Sequence, residues 1–253
     1  MDQKTKVLEN LKALNLKYWG QQLDAESEKL TPQELKAVYS TTLAASSNEL
    51  AERKSSQIAR QVNGAKFIKV QTVDQYDFSY NECTKKIKVP YIKLCNLAGT
   101  GQIPKAVFVG STGLGKTHLA RALGYVTCQA GNSVLFTKAS TIVNSMAAAK
   151  ASNTLEQELR KYRRPSLLII DELGYVTMSA EEGNLFFQVI SDRHDRGFGT
   201  IVTTNYPFGQ WNQIFSSSAT AVVIAERLTA DAEVFYLEGE SYPQNMKKKK
   251  KQI

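Results

Sequence analysis

The segment VFVGSTGLGKTHLARAL, residues 107–123, constrains this chain more than any other. An apolar run, Ala106 to Val109, enters a loop carrying Gly110, Gly113 and Gly115, and the loop opens directly into a helical pattern. The loop Gly110-Ser111-Thr112-Gly113-Leu114-Gly115-Lys116-Thr117 fits G-x-x-x-x-G-K-[ST] without a mismatch, in the strand–loop–helix context that gives the motif its meaning. Glycines let successive backbone N–H groups point at phosphate oxygens, and the helix N-terminus adds its partial positive charge. On this reading Gly110 to His118 surround a nucleotide's phosphates. Lys116 reaches the β- and γ-phosphates, and the Thr117 hydroxyl ligates Mg2+. The bland alternative, a glycine-rich turn with an ordinary exposed lysine, leaves both the full match and its context unexplained.

Two further apolar runs end in polar residues. LLIIDELGY closes on adjacent carboxylates, Asp171 and Glu172, and TIVTTNYP closes on Thr203, Thr204 and Asn205. In open α/β sheets, sites lie beyond the carboxyl ends of the strands, so these groups are expected beside the phosphate loop. Asp171 suits a magnesium shell. Glu172 suits polarisation of an attacking water, which favours hydrolysis over phosphate transfer to a small molecule. Asn205 suits a group that holds the water or senses the γ-phosphate, although an asparagine before Tyr-Pro is also an ordinary turn former.

The expected strands are 106–109, 133–136, 166–171, 200–204 and 232–238. Runs that are apolar on both faces and spaced by helices indicate a parallel sheet covered on both sides. Residues 1–75 read as a helical N-terminal domain, 76–246 as an α/β nucleotide-binding domain, and 247–253 as a basic, disordered tail. Val7, Leu11, Leu14 and Tyr18 form one stripe at helical spacing. Thr31, Pro32 and Glu34 make a capping-box start for a second helix running to Gly64, with room for a break at Ser46-Ser47-Asn48. Arg53, Lys54 and Arg60, together with Lys66 and Lys69, form either a phosphate-facing stripe or a merely solvated face.

The net charge is +8, but five of those charges sit in the run Lys247 to Lys251, so bulk charge argues little for nucleic acid. Cys83, Cys95 and Cys128 have unrelated spacings, which suits a reducing compartment. With no apolar run long enough to span a bilayer and no secretory start, a cytoplasmic protein is expected. His118 and His194 lack metal-ligand spacing. In SDRHD, contiguous Ser, His and Asp cannot make a triad, and Arg193 and Arg196 read as surface or subunit-contact residues.

Taken together, GSTGLGKTHLA, LLIIDELGY, SDRHDRG, TTNYPFGQW, AERL and GESY resemble the IstB family, AAA+ ATPases that help the transposases of istAB-type insertion sequences. DnaC-type helicase loaders are close relatives. LKALNL and AKFIKVQTVDQYDFSY extend the resemblance over nearly the whole chain. The pattern departs at Ser111, where the family usually has proline, and at Pro243, where it has arginine.

The resemblance implies a five-stranded parallel sheet in the order 5-1-4-3-2, no separate C-terminal lid, and ATP with Mg2+ bound between neighbouring subunits of a ring or helical homo-oligomer. It makes Arg227, in AERL, the arginine that reaches the next subunit's ATP. Relatives insert a helical element after the second strand. Here that place is taken by FTKASTIVNSMAAAKASNTLEQELRKYRR, whose Lys138, Lys150, Arg160, Lys161, Arg163 and Arg164 are then expected to contact duplex DNA without base readout. The implied function is an ATPase that assembles on duplex DNA, bends it and recruits or activates a cognate transposase. A replicative helicase loader and an ATP-controlled protein-interaction module are the competing readings. The junction from Tyr76 to Tyr91 is the expected wall of the adenine pocket.

Overall fold

The computed structural model describes residues 2–239, 241 and 242; Pro243 and the Lys247–Lys251 run lie outside the described residues. By packing, the chain divides into two units, Met1–Ala59 and Arg60–Ile253.

The first unit is helical. Helices α1 (Gln3–Ala13) and α2 (Lys17–Ser27) are followed by α3 (Pro32–Gly64), whose last residues fall in the second unit. The expected single stripe through Tyr18 is broken, because Asn15 takes a left-handed conformation (φ 62°) and starts a new helix direction. Val7, Leu11 and Leu14 are therefore buried, while Tyr18 stands 83% exposed. Val7 and Leu11 pack with Tyr39 on α3, flanked by Leu23, Leu35 and Leu43. The capping box is present: the Thr31 N–H donates to Glu34 (2.8 Å) and the Glu34 N–H donates to the Thr31 hydroxyl (3.4 Å). No break occurs at Ser46–Asn48. Serine disfavours helix interiors by offering the backbone a competing partner, but here both hydroxyls accept from the Asn10 amide on α1, at 3.1 and 3.0 Å.

The second unit begins earlier than residue 76. Residues 60–75 belong to it because Ala65 is buried in its core, with Val62, Phe67 and Val73 packed alongside. The Ala65 carbonyl also accepts from Phe136 N–H (2.8 Å) at the sheet edge. Lys66 and Lys69 thus lie past the end of α3 and share no helical stripe with Arg53, Lys54 and Arg60.

Next come α4 (Glu82–Gly99), β1 (Ala106–Gly110), α5 (Lys116–Gln129), β2 (Val134–Lys138), α6 (Ala139–Ala151) and α7 (Leu155–Arg163). They are followed by β3 (Leu167–Leu173), α8 (Ala180–Asp195), β4 (Gly199–Thr204), α9 (Ser218–Thr229) and β5 (Glu233–Leu237). All five strands are parallel, in the order β2-β3-β4-β1-β5, which from the other edge is 5-1-4-3-2. Among the described residues no domain follows β5.

Alternation along the strands separates two cores. Val107, Leu168, Ile170 and Val202 pack with residues of α6 to α9 on one face. Phe108, Leu167, Ile169 and Ile201 pack with residues of α4 and α5 on the other. Each such fully buried side chain contributes about 1.5–3 kcal/mol relative to exposure. Two covered faces explain why these strands are continuous apolar runs, and why the polar residues at the carboxyl ends of β3 and β4, Asp171 and Thr203, mark the open edge.

Candidate ATP site

The phosphate loop leaves β1 at Gly110 and enters α5 at Lys116. Gly115 caps α5 in a left-handed conformation (φ 84°), and a Cβ there would overlap the Tyr76 ring, so glycine is required twice over. Lys116 is 8% exposed and donates to Gly110 O (2.6 Å), Ser111 O (2.8 Å) and Asn205 Oδ1 (2.8 Å). Burial lowers its pKa to about 8, with the nearby Asp171 charge opposing. Only the carbonyl of Ser111 takes part in this contact, so losing the family's proline there costs it nothing.

Asp171 is 1% exposed, and its Oδ1 accepts from the hydroxyls of Thr117 (2.8 Å) and Thr203 (2.6 Å). Between Ile170 and Leu173 the β3–β4 register shifts, and Glu172 takes φ 60°, a left-handed conformation rare for a non-glycine residue. The bulge turns Glu172 away from the strand, and its N–H donates to Thr203 Oγ1 (3.0 Å). One β4 hydroxyl therefore fixes the Asp171 carboxylate and the Glu172 backbone, a role that polar residue type at a strand end does not announce. Asn205 follows β4, accepting from Lys116 and donating to Thr112 Oγ1 (3.3 Å).

Thr112, Gly113, Gly115, Lys116, Thr117, Glu172 and Asn205 line a cavity of about 230 Å³. Mg2+ takes hard oxygen donors, usually one or two from the protein and the rest from phosphate and water. The Thr117 hydroxyl and the Asp171 carboxylate, 2.8 Å apart, fit that donor set. Among the described residues no cluster of three or more His, Cys, Asp or Glu offers an all-protein cage.

A second cavity, about 290 Å³, shares Gly113 and Gly115 with the first and is walled by Gln75, Tyr76, Tyr80, His118 and Tyr242. Its size and aromatic lining suit a purine base. The Tyr76 hydroxyl donates to Leu114 O (2.9 Å), and burial raises its pKa. His118 is a strut of this wall: Nε2–H donates to Thr72 O (2.9 Å) while Nδ1 accepts from the Gln71 amide (2.9 Å). Of the expected junction wall, Tyr76 and Tyr80 line the cavity, whereas Tyr91 is fully buried and donates to Leu119 O (2.9 Å).

Arg227 lies in the last turn of α9 and pairs with Asp195 (3.2 Å), the last residue of α8. Both positions precede the starts of β5 and β4, so Arg227 is at the N-terminal edge of the sheet, opposite its own phosphate loop.

Arg193 is no surface residue. It is 0% exposed and donates to Tyr162 O (2.8 Å), Pro165 O (2.9 Å), Ser166 O (3.3 Å), Thr200 Oγ1 (3.1 Å) and Gly199 O. Burial lowers its pKa to about 9. The guanidinium ties the end of α7 to the start of β4.

The basic residues of the inserted segment are largely paired with acids. Lys150 pairs with Glu181, Arg160 with Glu156 (3.7 Å), Lys161 with Glu158 (2.6 Å), and Arg163 with Glu156 (3.2 Å) and Asp192 (2.6 Å). Arg164 is exposed at the end of α7. Lys138 is drawn into the ATP site, pairing with Glu172 (2.7 Å). In the first unit Arg53 pairs with Glu49 (2.7 Å) and Lys54 is exposed; Arg60, in the second, is exposed as well.

A phosphate loop on β1, with β4 inserted between β1 and the carboxylate-bearing β3, defines this protein as a P-loop ATPase of the AAA+ class. Residues 9–252 match the family of IstB-like ATP binding proteins, and the chain belongs to that family. It is 32% identical over 233 residues to an ATP-binding protein of insertion sequence IS232 from Bacillus thuringiensis subsp. berliner, covering 92% of each chain. It is 34% identical over 182 residues to the corresponding protein of insertion sequence IS21 from Pseudomonas aeruginosa, covering 72% of this chain and 67% of that one. Among solved structures, the DnaC helicase loader superposes with a TM-score of 0.57 at 20% identity, over 66% of this chain and 96% of that one. AMPPCP-bound DnaA from Aquifex aeolicus gives 0.56 at 16% identity, over 72% of this chain and 55% of that one. These last two likenesses are of fold alone. No helix of the described residues is long and apolar enough to cross a membrane.

Proposed function

We propose that this protein is the ATP-dependent helper of an insertion-sequence transposase, forming a homo-oligomer on duplex DNA, bending it, and presenting the target site to the transposase. The observation that carries the reading is the placement of Arg227 on the sheet edge opposite its own phosphate loop. An arginine so placed cannot serve its own subunit's nucleotide, but in a head-to-tail assembly it faces the next one. Such a residue supplies about 10³–10⁵ in rate where it stabilises a phosphoryl-transfer transition state.

Within one subunit, Lys116 exchanges its three oxygen partners for β- and γ-phosphate oxygens. Asn205, released when Lys116 turns to the phosphates, is left to hold the attacking water. The Glu172 carboxylate accepts the water's proton as oxygen attacks the γ-phosphorus and ADP leaves. Thr117 and Asp171 are the residues that hold Mg2+, which when bound neutralises charge on the phosphates. ATP binding thus completes the assembly, and hydrolysis disassembles or remodels it.

The test is sedimentation and electron microscopy of Glu172→Gln with ATP and random duplex or single-stranded DNA. A persistent ATP-dependent assembly on duplex is expected, with Lys116→Ala forming none. Normal disassembly of Glu172→Gln in ATP contradicts the mechanism. Assembly on single strands alone favours helicase loading, and assembly that ignores DNA favours an interaction module.

A further inference from the structure

The last turn of α8 carries three polar side chains with different surroundings. Arg193 is fully buried, and its hydrogen bonds to residues 162–166 and 199–200 pin this helix end to the body of the second unit. His194 lines a shallow crevice with Lys105, Phe198, Thr200, Arg227 and Leu228. Asp195, the final residue of the helix, is open to solvent and accepts from Arg227 Nη1 at 3.2 Å. A carboxylate in the last turn of a helix faces the negative end of the helix dipole, an unfavourable place for it. Within α8 alone nothing recommends an acid at this position; the charge it answers is on α9.

As a tie between helices the pair is superfluous. Helices α8 and α9 already pack through the core they share, which includes Ile190, Ile224 and Leu228, and a partly exposed ion pair adds little to that. Its effect falls on Arg227 itself. Among the described residues Asp195 is the only hydrogen-bond partner of this guanidinium, whose neighbour Lys105 is another cation with its own acid, Asp231 (3.9 Å). An unheld arginine spreads over many rotamers, and its planar fork is useful only when it is aimed. Asp195 engages a single donor of the fork through Nη1, so the direction of the side chain is set while its remaining donors stay available to a phosphate. Both partners remain partly open to solvent, at 38% and 59%, as a group that must reach another molecule requires. Because Arg193 immobilises α8 two residues earlier, Asp195 is a fixed point of attachment.

We propose that Asp195 is a positioning residue that preorders Arg227 for the nucleotide of the neighbouring subunit. This rests on the reading of Arg227 as the arginine supplied to the next subunit's ATP. A guanidinium already held in one direction loses less freedom when it meets the transferring phosphoryl group, so Asp195 raises kcat without touching nucleotide. Its whole effect is felt in a site that belongs to a different molecule from the one carrying it.

The experiment measures ATP turnover by mixtures of two full-length variants in the presence of random duplex. Arg227→Ala keeps its phosphate loop and lacks the arginine; Glu172→Gln keeps the arginine and lacks hydrolysis. Mixed, they should recover turnover that neither shows alone, in sites built from the loop of the first and Arg227 of the second. With Asp195→Asn added to the Glu172→Gln partner, the recovered kcat should fall by about two- to fivefold, the size of a partly exposed ion pair. KM for ATP should not change, and Asp195→Glu in the same place should restore part of the rate. Moved to the Arg227→Ala partner, Asp195→Asn should cause no further loss, because that subunit has no arginine to aim. Recovery undiminished by Asp195→Asn in the Glu172→Gln partner overturns the proposal. An equal fall from either partner also overturns it, since that marks a merely structural residue. No recovery in the first mixture refutes the reading of Arg227, and the positioning role with it. A double-mutant cycle in unmixed protein gives a second answer: Asp195→Asn should lower kcat in the parent and leave that of Arg227→Gln as it is, and an equal loss in both overturns the proposal.

Discussion

Replacing Thr203 with valine keeps the side-chain shape and removes one hydroxyl, which here serves two groups. The hydroxyl donates to the buried Asp171 carboxylate at 2.6 Å and accepts from the Glu172 N–H at 3.0 Å. A hydrogen bond to a charged group contributes about 1.5–3 kcal/mol, and a donor left unmatched in a half-buried place costs about 1 kcal/mol more. The variant should therefore lose about 2.5–4 kcal/mol. For a chain of this size each kcal/mol lowers Tm by about 2–4 °C, so scanning calorimetry should show a drop of about 5–16 °C. Part of the loss should return with saturating MgATP, because the metal then supplies Asp171 with a partner. Turnover should fall as well, since the bulge that aims Glu172 has lost its anchor. A Tm equal to the parent's, with unchanged turnover and Mg2+ requirement, would refute the claim that one hydroxyl organises the Asp171 carboxylate and the Glu172 backbone.

Three other outcomes follow from two buried cations. Lys116 has a pKa lowered to about 8 and must be charged to hold phosphate. Affinity for a fluorescent ATP analogue should thus be flat below that pH and fall about tenfold per unit above it; a flat profile to pH 9.5 counts against the contact. Because the depressed pKa means the unfolded chain binds more protons between about 8 and the ordinary lysine value, this group's contribution to stability of the nucleotide-free protein rises with pH through that window. Arg193→Met leaves the Tyr162 and Pro165 carbonyls without their donor and should cost about 3–5 kcal/mol by thermal unfolding, while Arg193→Lys should recover part; equal melting of Arg193→Met and the parent would sink the structural role.

The phosphate loop, Asp171 and Glu172 were legible in the sequence because each is a local pattern: an apolar strand, then polar groups at fixed offsets. Strand positions were legible for the same reason, since strands covered on both faces are written as unbroken apolar runs. Arg193 was not, because its partners come from two segments, 162–166 and 199–200, brought together only by the fold, and its residue type does not mark a buried guanidinium. Thr203 and Lys138 failed differently. Their residue types were visible, but what they touch depends on strand order and on a one-residue bulge in β3. Ser46 and Ser47 suggested a helix break only because Asn10, the amide that satisfies them, lies 36 residues away from the first of them.

Strand β4 joins the parts of this molecule that must agree with one another. At its beginning, Gly199 and Thr200 accept from the Arg193 guanidinium that also grips the end of α7. Near its end Thr203 holds the Asp171 carboxylate and the Glu172 backbone, and Asn205 just beyond it holds Lys116. At about 3.3 Å per residue, its six residues make a rod of about 20 Å in the middle of the sheet. A strand packed on both faces along its whole length is stiff, so the partner of Lys116 and the anchor of α7 sit at the two ends of one rigid element. The phosphate-loop lysine and the end of α7 thus take their positions from opposite ends of a single strand.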